Sequence, residues 1–377
     1  MSSEPYSAPL SSSHTALGAK IRACLLGGAL GDALGTAGPE RLEDTLSVSS
    51  ATQLALYSLD GLLEAVEWAN SGVGADETAC IWLAYLRWLR GRGIALPETG
   101  LVPLPRPIDA EELLHPTPAG TADAGTADAG LDPEVVSALS SGEMGTRQRP
   151  VNTESDSPAA LVRSAPFGLL PYVPTETVYK LVLDAASLTH GHPAARHASA
   201  VFAATVHGLL SPGTTLAAAA EKALAPADAA ADSDGGVPGL ADRLRSVISG
   251  PDFATGGTAA SGAAAGGTAA GGTTSGSGAT GGTTAEGALT LGLSAALRAE
   301  NALARQAAAG APASPEDTVT AALREAAAAG GAPAAVVAGS LLGALYGVLP
   351  GPLLASLRER AAVERLADSY VSATIAP

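Results

Sequence analysis

Aromatic side chains are scarce in this chain, although apolar residues are not. They make up 3% of its 377 residues, whereas 46% of the residues are hydrophobic. Alanine and leucine supply most of the apolar mass, and both are strong helix formers. β-Sandwiches depend on β-branched and aromatic residues, and no alternating strand pattern of any length occurs in the sequence. The composition therefore predicts an all-α fold with closely packed helices.

Positive charge is also in short supply. The chain has 21 Lys and Arg against 37 Asp and Glu, a net charge of −16. Nonspecific binding to nucleic acid needs basic side chains that displace counterions, and anionic membranes attract basic segments. We therefore predict neither nucleic acid nor a membrane as a partner. A small-molecule or protein ligand remains open, as does an oligomer of like or unlike subunits.

Only two cysteines occur, Cys24 and Cys80, and both stand in apolar contexts typical of helices. A disulfide framework needs more cysteines, so buried thiols in a reducing compartment are favoured. No basic N-terminal segment is followed by an apolar run, so no secretory signal is evident. The longest apolar stretch, 334–349, contains glycines and is short for a membrane span. We predict a cytoplasmic protein in which this stretch is a buried core helix.

Apolar residues recur with helical spacing over most of the chain. The pattern predicts one compact helical domain over residues 15–377, after a disordered tail at 1–14. Two insertions of low complexity, near 97–132 and 254–284, are predicted to be flexible because they bury too little apolar surface to offset the entropy of ordering. The predicted helices are 16–34, 52–70, 78–90, 176–188, 194–210, 288–309, 315–328, 333–349 and 352–369.

Four motifs stand out at the residue level: Gly-Gly-Ala-Leu-Gly-Asp-Ala-Leu-Gly at 27–35, Arg-Ser-Ala-Pro-Phe-Gly-Leu-Leu-Pro at 163–171, Thr-His-Gly-His-Pro at 189–193, and Ala-Gly-Ser-Leu-Leu-Gly-Ala-Leu-Tyr-Gly at 338–347. Glycine within a helix costs about 1 kcal/mol relative to alanine. Glycine clusters therefore indicate either close helix packing or access for a ligand, and the residues alone leave both readings open.

Together and in this order, the four motifs resemble the ADP-ribosylglycohydrolase family, of the dinitrogenase-reductase-activating-glycohydrolase type. The resemblance spans about residues 17–349, apart from the two insertions. It implies an all-α single domain with a ligand cleft and a pair of Mg²⁺ ions held by aspartates. It also implies that Asp32 has a structural role and that a glutamate shortly after the first helix acts near the scissile bond. Glu40 is the nearest candidate for that catalytic residue.

The aspartates that the resemblance implies are missing. The family's Ser-Asp-Asp-Thr-Gln places its two carboxylates where this chain has Ser50 and Ala51. Its Asp-Ser-Asp-Ser-Thr aligns without a gap before Gly339, and puts Gly330 and Ala332 at the aspartate positions. Mg²⁺ needs hard oxygen ligands, usually carboxylates, in near-octahedral geometry. We therefore predict no metal ligands and no cofactor. Ser49 or Ser50 would instead serve as a helix N-cap.

The phosphate-binding loop is altered in the same way. The resemblance implies a Lys-Gly-Cys-Gly-Gly core whose backbone N–H groups hold the pyrophosphate of ADP-ribose. Here the segment from Asn152 reads Asp-Ser-Pro-Ala-Ala from Asp156 onwards. Pro158 removes one donor, the alanines add Cβ atoms, and Asp156 brings negative charge. A working pyrophosphate site is therefore not expected.

The Thr-His-Gly-His-Pro turn is the best-preserved cleft motif, and the resemblance implies that His190 lines the cleft. A lone histidine is more often structural, and two histidines without partner carboxylates or cysteines are a weak zinc signal. The ligand-cleft residues are thus predicted to be Ser49, Ser50, Asn152, Asp156 and His190.

Three functions remain open from the sequence. The leading one is a metal-free pseudoenzyme of the family that binds a nucleotide-like ligand or a partner protein. The alternative is a hydrolase or lyase that acts on an ADP-ribosyl, N-glycosyl or related substrate in the same cleft without the dinuclear Mg²⁺ site, using Glu40, Asp44 and His190. The third is a scaffold recruited for packing alone.

Overall fold

The structure, a computed structural model, describes residues 12–38, 45–96, 103–111, 131–233, 235–250, 284–310 and 314–375. Over these ranges the chain forms thirteen α-helices and no strand, which confirms the all-α prediction. We number the helices in chain order: α1 Ser12–Ala37, α2 Ser50–Asn70, α3 Glu77–Gly91, α4 Pro133–Ser140, α5 Ala159–Val162, α6 Thr175–Ser187, α7 Pro193–Leu209, α8 Leu216–Ala230, α9 Leu240–Ile248, α10 Ala285–Ala308, α11 Pro315–Tyr346, α12 Gly351–Ser356 and α13 Arg360–Ile375. Two 3₁₀ helices, Pro107–Ala110 and Ala165–Leu169, join them.

Helices α1 and α11 run antiparallel and pack backbone to backbone through their glycines. A Cβ atom on Gly27 would overlap the carbonyl oxygen of Gly339, and one on Gly31 would overlap that of Ala335. Gly27, Gly31 and Gly35 are spaced four residues apart, so they lie on one face of α1. Of the two readings left open by the sequence, close helix packing is the one that this geometry requires at these positions.

Helix α11 contains a sharp break. Its backbone leaves helical geometry at Gly330, with φ −140°, and at Gly331, with φ +68°. Only glycine adopts the second conformation without strain, and Pro333 then opens the following segment, where a missing N–H costs little. The two helices predicted at 315–328 and 333–349 are therefore two segments of one bent element.

Helix α7 is the central core helix. Fourteen of its residues are buried, many of them alanine, so that α6, α8, α10 and α11 all approach it closely. Helices α4, α5, α8 and α9 were absent from the predicted set, and the single helix predicted at 352–369 is divided into α12 and α13. In α8 the reason is the run of alanine, which is apolar on every face and leaves no helical period to detect.

One described helix, α11, is long and apolar enough to cross a membrane, but 67% of its most apolar window is buried inside the protein. The burial agrees with the prediction of a core helix at 334–349. Both cysteines are free and buried, and burial raises the pKa of the Cys24 thiol to about 12. The two thiols therefore act as small apolar side chains.

Part of the first predicted insertion, residues 103–111, contacts the core. Ile108 is 3% exposed, and Arg106 forms ion pairs with Asp60 at 3.0 Å and with Glu67 at 2.9 Å. The sequence shows no periodicity there because these are single contacts from an irregular segment. Helix α1 begins at Ser12, inside the predicted tail. The other residues of the tail and of both insertions lie outside the described ranges, except 131–132 and Thr284.

A buried ionic network underlies this attachment. The carboxylate of Asp60 on α2 pairs with Arg87 on α3, and each side chain is 1% exposed. Burial raises the pKa of Asp60, and the guanidinium groups of Arg106 and Arg87 act against that rise. The network joins α2, α3 and the 3₁₀ helix at 107–110.

Candidate functional site

The entry to α2 is organised by one buried carboxylate. Asp32 on α1 is fully buried and accepts hydrogen bonds from the backbone N–H of Ser49 at 2.8 Å and from its hydroxyl at 2.7 Å. It also accepts from the N–H and the hydroxyl of Thr52, at 3.2 and 2.6 Å. Ser49 in turn caps the helix by accepting from the N–H of Ala51. Ser49 is therefore the N-cap of α2, as predicted, and the hydrogen bonds to Asp32 hold it in place.

These contacts leave Asp32 no lone pair for another partner. A carboxylate has about four acceptor directions, and Asp32 receives four hydrogen bonds from Ser49 and Thr52 and a longer one, at 3.4 Å, from Thr36. Its negative charge stabilises the N-terminus of α2, where unpaired N–H groups concentrate. Asp32 is thus fully engaged in the hydrogen bonds that hold α1 and α2 together.

A second buried carboxylate fixes the extended residues just before α2. Glu359 is 2% exposed, accepts from the hydroxyl of Ser47 at 2.7 Å and accepts from the N–H of Val48 at 3.1 Å. Residues 46 and 357 also form an isolated parallel bridge. The start of α2, where Ser49 and Ser50 lie, is consequently rigid before any ligand arrives.

The other segment that the resemblance assigns to metal binding lies at the bend of α11, against the same stretch of α1. A Cβ atom on Gly35 would overlap the backbone of Ala332, and one on Gly31 would overlap that of Ala335. Asp32 lies between these two glycines and binds the start of α2. The two sequence segments that the resemblance assigned to metal binding therefore converge on residues 31–35, as a shared site requires.

The residues at this point do not fit a dinuclear Mg²⁺ centre. The four positions hold a hydroxyl at Ser50, a methyl at Ala51, hydrogen at Gly330 and a methyl at Ala332. Gly330 has no room for a larger side chain, since a Cβ there would lie 2.7 Å from that of Ala334. Mg²⁺ requires carboxylate or other hard oxygen donors, and the adjacent carboxylate of Asp32 is saturated. We therefore assign no metal-dependent chemistry to these residues.

His190 lies in the turn between α6 and α7 and is fully buried. Its Nε2 lies 3.2 Å from Oε2 of Glu134 and 3.0 Å from Oγ of Ser157. Its Nδ1 lies 2.9 Å from Oγ1 of Thr189. Thr189 accepts a hydrogen bond from Nη2 of Arg163 at 2.5 Å. A continuous chain of contacts thus runs from Arg163 through the histidine to Glu134.

The partners in this chain assign the tautomer of His190. The carboxylate of Glu134, 3.2 Å from Nε2, favours the tautomer with the proton on this nitrogen, which then donates to Oγ of Ser157 at 3.0 Å. Nδ1 is then the acceptor, and it takes the hydroxyl proton of Thr189, whose oxygen already accepts from Arg163. Burial, followed by the charge of Arg163, lowers the pKa of His190 to about 3. The imidazole is therefore neutral, with Nε2 as a donor that is not free to deprotonate Ser157.

Arg163 is the anchor of this wall. It is 1% exposed and donates to the hydroxyl of Tyr85 at 2.9 Å and to the carbonyl of Ala159 at 3.1 Å. Its guanidinium also lies over the Tyr85 ring, 5.1 Å from the centroid, a favourable cation–π contact. The well-matched motif at 163–171 is thus retained because its arginine positions the Thr189–His190 turn.

The loop at 152–158 is held by its side chains and not shaped as an anion site. Asn152 has φ +51° and donates its amide to the carbonyls of Glu134 at 3.0 Å and Thr189 at 2.8 Å. The carbonyl of Asp156 accepts from the N–H of Ala285 at 2.8 Å, while its side chain is exposed. With Glu134 beside it, this wall presents carboxylates where a pyrophosphate would need donors.

Sequence reasoning missed Glu134 and Asp132. Their carboxylate oxygens and a ring nitrogen of His190 lie within 4.8 Å of one another, the one such group in the part of the chain that the structure describes. Asp132 already caps α4 by accepting from the N–H groups of Glu134 and Val135, and Nε2 of the histidine carries a proton. The Asp-Pro-Glu start of α4 is a recognisable capping signal, but nothing in the sequence links it to residue 190.

The predicted cleft residues thus form two groups. Asn152, Asp156 and His190 belong to one wall, which Glu134 and Arg163 complete. Ser49 and Ser50 lie at the start of α2, where Ser49 is held by Asp32. Glu40, the predicted catalytic residue, and Asp44 lie outside the described residues.

These features define an all-α scaffold of the glycohydrolase type. A sequence model of the ADP-ribosylglycohydrolase family matches residues 13–376, and the chain belongs to that family. Among solved structures, it is similar to a chain described as an ADP-ribosylglycohydrolase-related protein complex, with 20% sequence identity, a TM-score of 0.53, and coverage of 96% of this chain and 99% of that chain. At this identity the likeness shows the fold alone. No curated protein matches the sequence.

Proposed function

We propose that this chain is a metal-free, non-hydrolytic member of its family that acts by binding a ligand in the cleft. The observation that carries the proposal is the state of Asp32. Asp32 is the carboxylate closest to the positions where the resemblance implies metal ligands. Its oxygens accept hydrogen bonds from Ser49 and Thr52. With Ser50, Ala51, Gly330 and Ala332 around it, the donor set for a dinuclear centre is absent.

Without metal ligands, the site loses a contribution to catalysis as well as affinity for metal ions. Bound divalent ions orient water and substrate and stabilise charge in the transition state, a contribution of several kcal/mol. The wall at residue 190 does not supply a replacement, because the neutral imidazole donates through Nε2 to Ser157 instead of accepting a proton. Catalysis would have to rest on residues outside this wall, such as Glu40.

The charge of the wall bears on the ligand class. Glu134 and Asp156 repel a pyrophosphate, and Pro158 offers no N–H to it. Of the two ligand classes predicted from the sequence, a partner protein that presents hydrogen-bond donors or basic side chains is therefore favoured over a nucleotide.

Three measurements test the proposal together. Purified protein is analysed for Mg and Mn, titrated with ADP-ribose by calorimetry, and incubated with proteins ADP-ribosylated on arginine or serine in excess Mg²⁺. A metal-competent member of the family is assayed in parallel as the positive control. We expect no stoichiometric metal and no release of ADP-ribose. Metal-dependent turnover that disappears in Glu40→Gln or His190→Gln would establish the hydrolase alternative instead.

A further inference from the structure

A second cavity, of about 860 Å³, lies between α6, α7 and α8 and shares no residue with the predicted cleft. Its walls come from these helices and from the loop at 147–150. The charged and polar residues that line it include Arg147, Glu176, Tyr179, Lys180, Arg196 and His197. Cavities of 300–1,000 Å³ are typical of small-molecule sites.

Arg196 on α7 is the unusual member of this lining. The residue is 8% exposed, and its buried Nε has no hydrogen-bond partner. None of the described carboxylates lies within ion-pair distance of its guanidinium. A buried guanidinium carries a desolvation cost, and no ion pair with a described residue offsets that cost for Arg196. Such an arginine is stabilised when an anion enters the cavity that it faces.

The described surroundings of Arg196 add positive charge, and the carboxylate that opposes it is shared with another arginine. Arg147 lies close enough to lower the pKa of Arg196, after burial itself, while Asp184 opposes that effect. Asp184 is already engaged by Nε of Arg147 at 2.5 Å. Lys180 also lines the cavity, and Glu176 is the acid among the described lining residues. In a chain with a net charge of −16, this concentration of cations is a local exception.

The adjacent wall is neutral and fixed. The ring nitrogen Nε2 of His197 donates to the carbonyl of Gly235 at 3.0 Å, so Nδ1 accepts from the hydroxyl of Tyr179 at 2.6 Å. Burial lowers the pKa of His197 and raises that of Tyr179. Gly235 has φ +80°, and a Cβ there would lie 3.2 Å from Nη2 of Arg196. The guanidinium therefore stands beside Gly235, next to the neutral pair of Tyr179 and His197.

We propose that this cavity binds the phosphate group of a small phosphorylated metabolite, with Arg196 as its principal ligand. A guanidinium presents a planar pair of donors that matches phosphate oxygens. A phosphate monoester carries about −1.5 to −2 charges at neutral pH, which suits two or three cations better than a single carboxylate does. The volume exceeds that of inorganic phosphate and leaves room for the rest of a sugar phosphate or a mononucleotide.

The test is calorimetric titration with inorganic phosphate, pyrophosphate and AMP at fixed ionic strength, with citrate as the carboxylate comparison. We expect phosphate compounds to bind, Arg196→Met to weaken binding at least ~10-fold, a loss of about 1.4 kcal/mol, and Arg196→Lys to fall between. Arg360→Met is the matched control, because it removes an exposed guanidinium from α13 and should leave binding unchanged.

Thermal unfolding without ligand distinguishes a binding arginine from a structural one. Removal of an unpaired buried charge should leave the Tm of Arg196→Met equal to or above that of the wild type. A lower Tm for this variant would assign the residue a structural role and overturn the proposal. The same holds if no phosphate compound binds the wild type at about 10 mM, or if citrate binds as tightly as pyrophosphate.

This proposal does not rest on the function proposed for the cleft. ADP-ribose carries a pyrophosphate, so its titration is repeated on Arg196→Met. Binding that persists in that variant belongs to the cleft, and binding that disappears belongs to this cavity.

Discussion

Asp32 on α1 binds Ser49, the N-cap of α2, through both the backbone N–H at 2.8 Å and the hydroxyl at 2.7 Å. The same carboxylate also binds Thr52 in the first turn. The side chain of Asp32 thus takes the place of several water molecules at the N-terminus of α2 and links this terminus to the glycine-rich helix α1. The acceptor sites of Asp32 all stabilise the fold, so none is left to bind a metal ion.

Asp32→Asn should therefore destabilise the protein by about 3 kcal/mol, since hydrogen bonds to charged groups contribute about 1.5–3 kcal/mol each and an amide would point a donor at N–H groups. Urea unfolding measures the change. Asp317→Asn is the matched control, because Asp317 is exposed at the start of α11, and it should cost less than about 1 kcal/mol. Equal losses for the two variants would show that Asp32 is not the organising group.

The position of this carboxylate could be predicted from the sequence only in part. The glycine spacing at 27–35 and the serines before α2 indicate a packed helix and a cap. The sequence separation of 17 residues between Asp32 and Ser49 does not reveal that the two meet, because their contact depends on how α1 and α2 are oriented. Helix positions were predictable because the apolar period is a local signal.

Gly27→Ala should be among the most damaging small changes in the chain. The added Cβ would overlap the carbonyl oxygen of Gly339, so α1 and α11 would have to separate along their length. We expect a loss of about 3 kcal/mol or more, at or beyond the upper end for overpacked sites.

Gly74→Ala supplies the control for that substitution. A Cβ on Gly74 meets nothing within 4 Å, and its φ is not in the left-handed region. The variant should be neutral or more stable by about 0.5 kcal/mol, because alanine restricts the unfolded chain. Tm and urea midpoints for both variants are compared, and similar losses would refute the close-packing interpretation.

Arg87→Met should cost about 3–5 kcal/mol, since it leaves the buried carboxylate of Asp60 short of one partner. The double variant Arg87→Met with Asp60→Leu should lose clearly less than the sum of the single losses, and a double-mutant cycle gives the coupling. Arg360→Met, which removes a half-exposed pair within α13, should cost less than about 0.5 kcal/mol. Additive losses at residues 60 and 87 would contradict the buried pair.

This network and the wall around His190 were not predictable from sequence for a common reason. Each joins residues from separate segments, such as Arg106 with Asp60 or Glu134 with His190, and single contacts of this kind leave no periodic trace. The turn at 189–193 was found because its residues are contiguous. Its partners Glu134 and Ser157 could be identified only once the fold had brought α4 and the loop at 152–158 against it.

The last prediction concerns pH, because His190 is buried as a neutral imidazole. Its pKa in the folded protein is about 3, against about 6.5 when unfolded. Above pH 6.5 both states are neutral and the contribution to stability is complete. As the pH falls below 6.5 only the unfolded state takes up the proton, so stability is lost, with a limiting slope of about 1.4 kcal/mol per pH unit. The groups that face the ring are Arg163, which lowers the pKa, and the carboxylates of Glu134 and Asp132.

Urea unfolding at pH 7.5, 6.0 and 5.0 measures this loss, and His190→Gln should show a flatter dependence because glutamine does not titrate. His197 and His207, whose pKa values are also lowered by burial, contribute in the same direction and remain in the variant, so the slope decreases without vanishing. His192→Gln, a change at the half-buried N-cap of α7, is the control. An unchanged slope in His190→Gln would mean that the imidazole takes up its proton at the same pH in the folded and unfolded states, which would contradict a buried neutral ring and reopen a proton-transfer role for this wall.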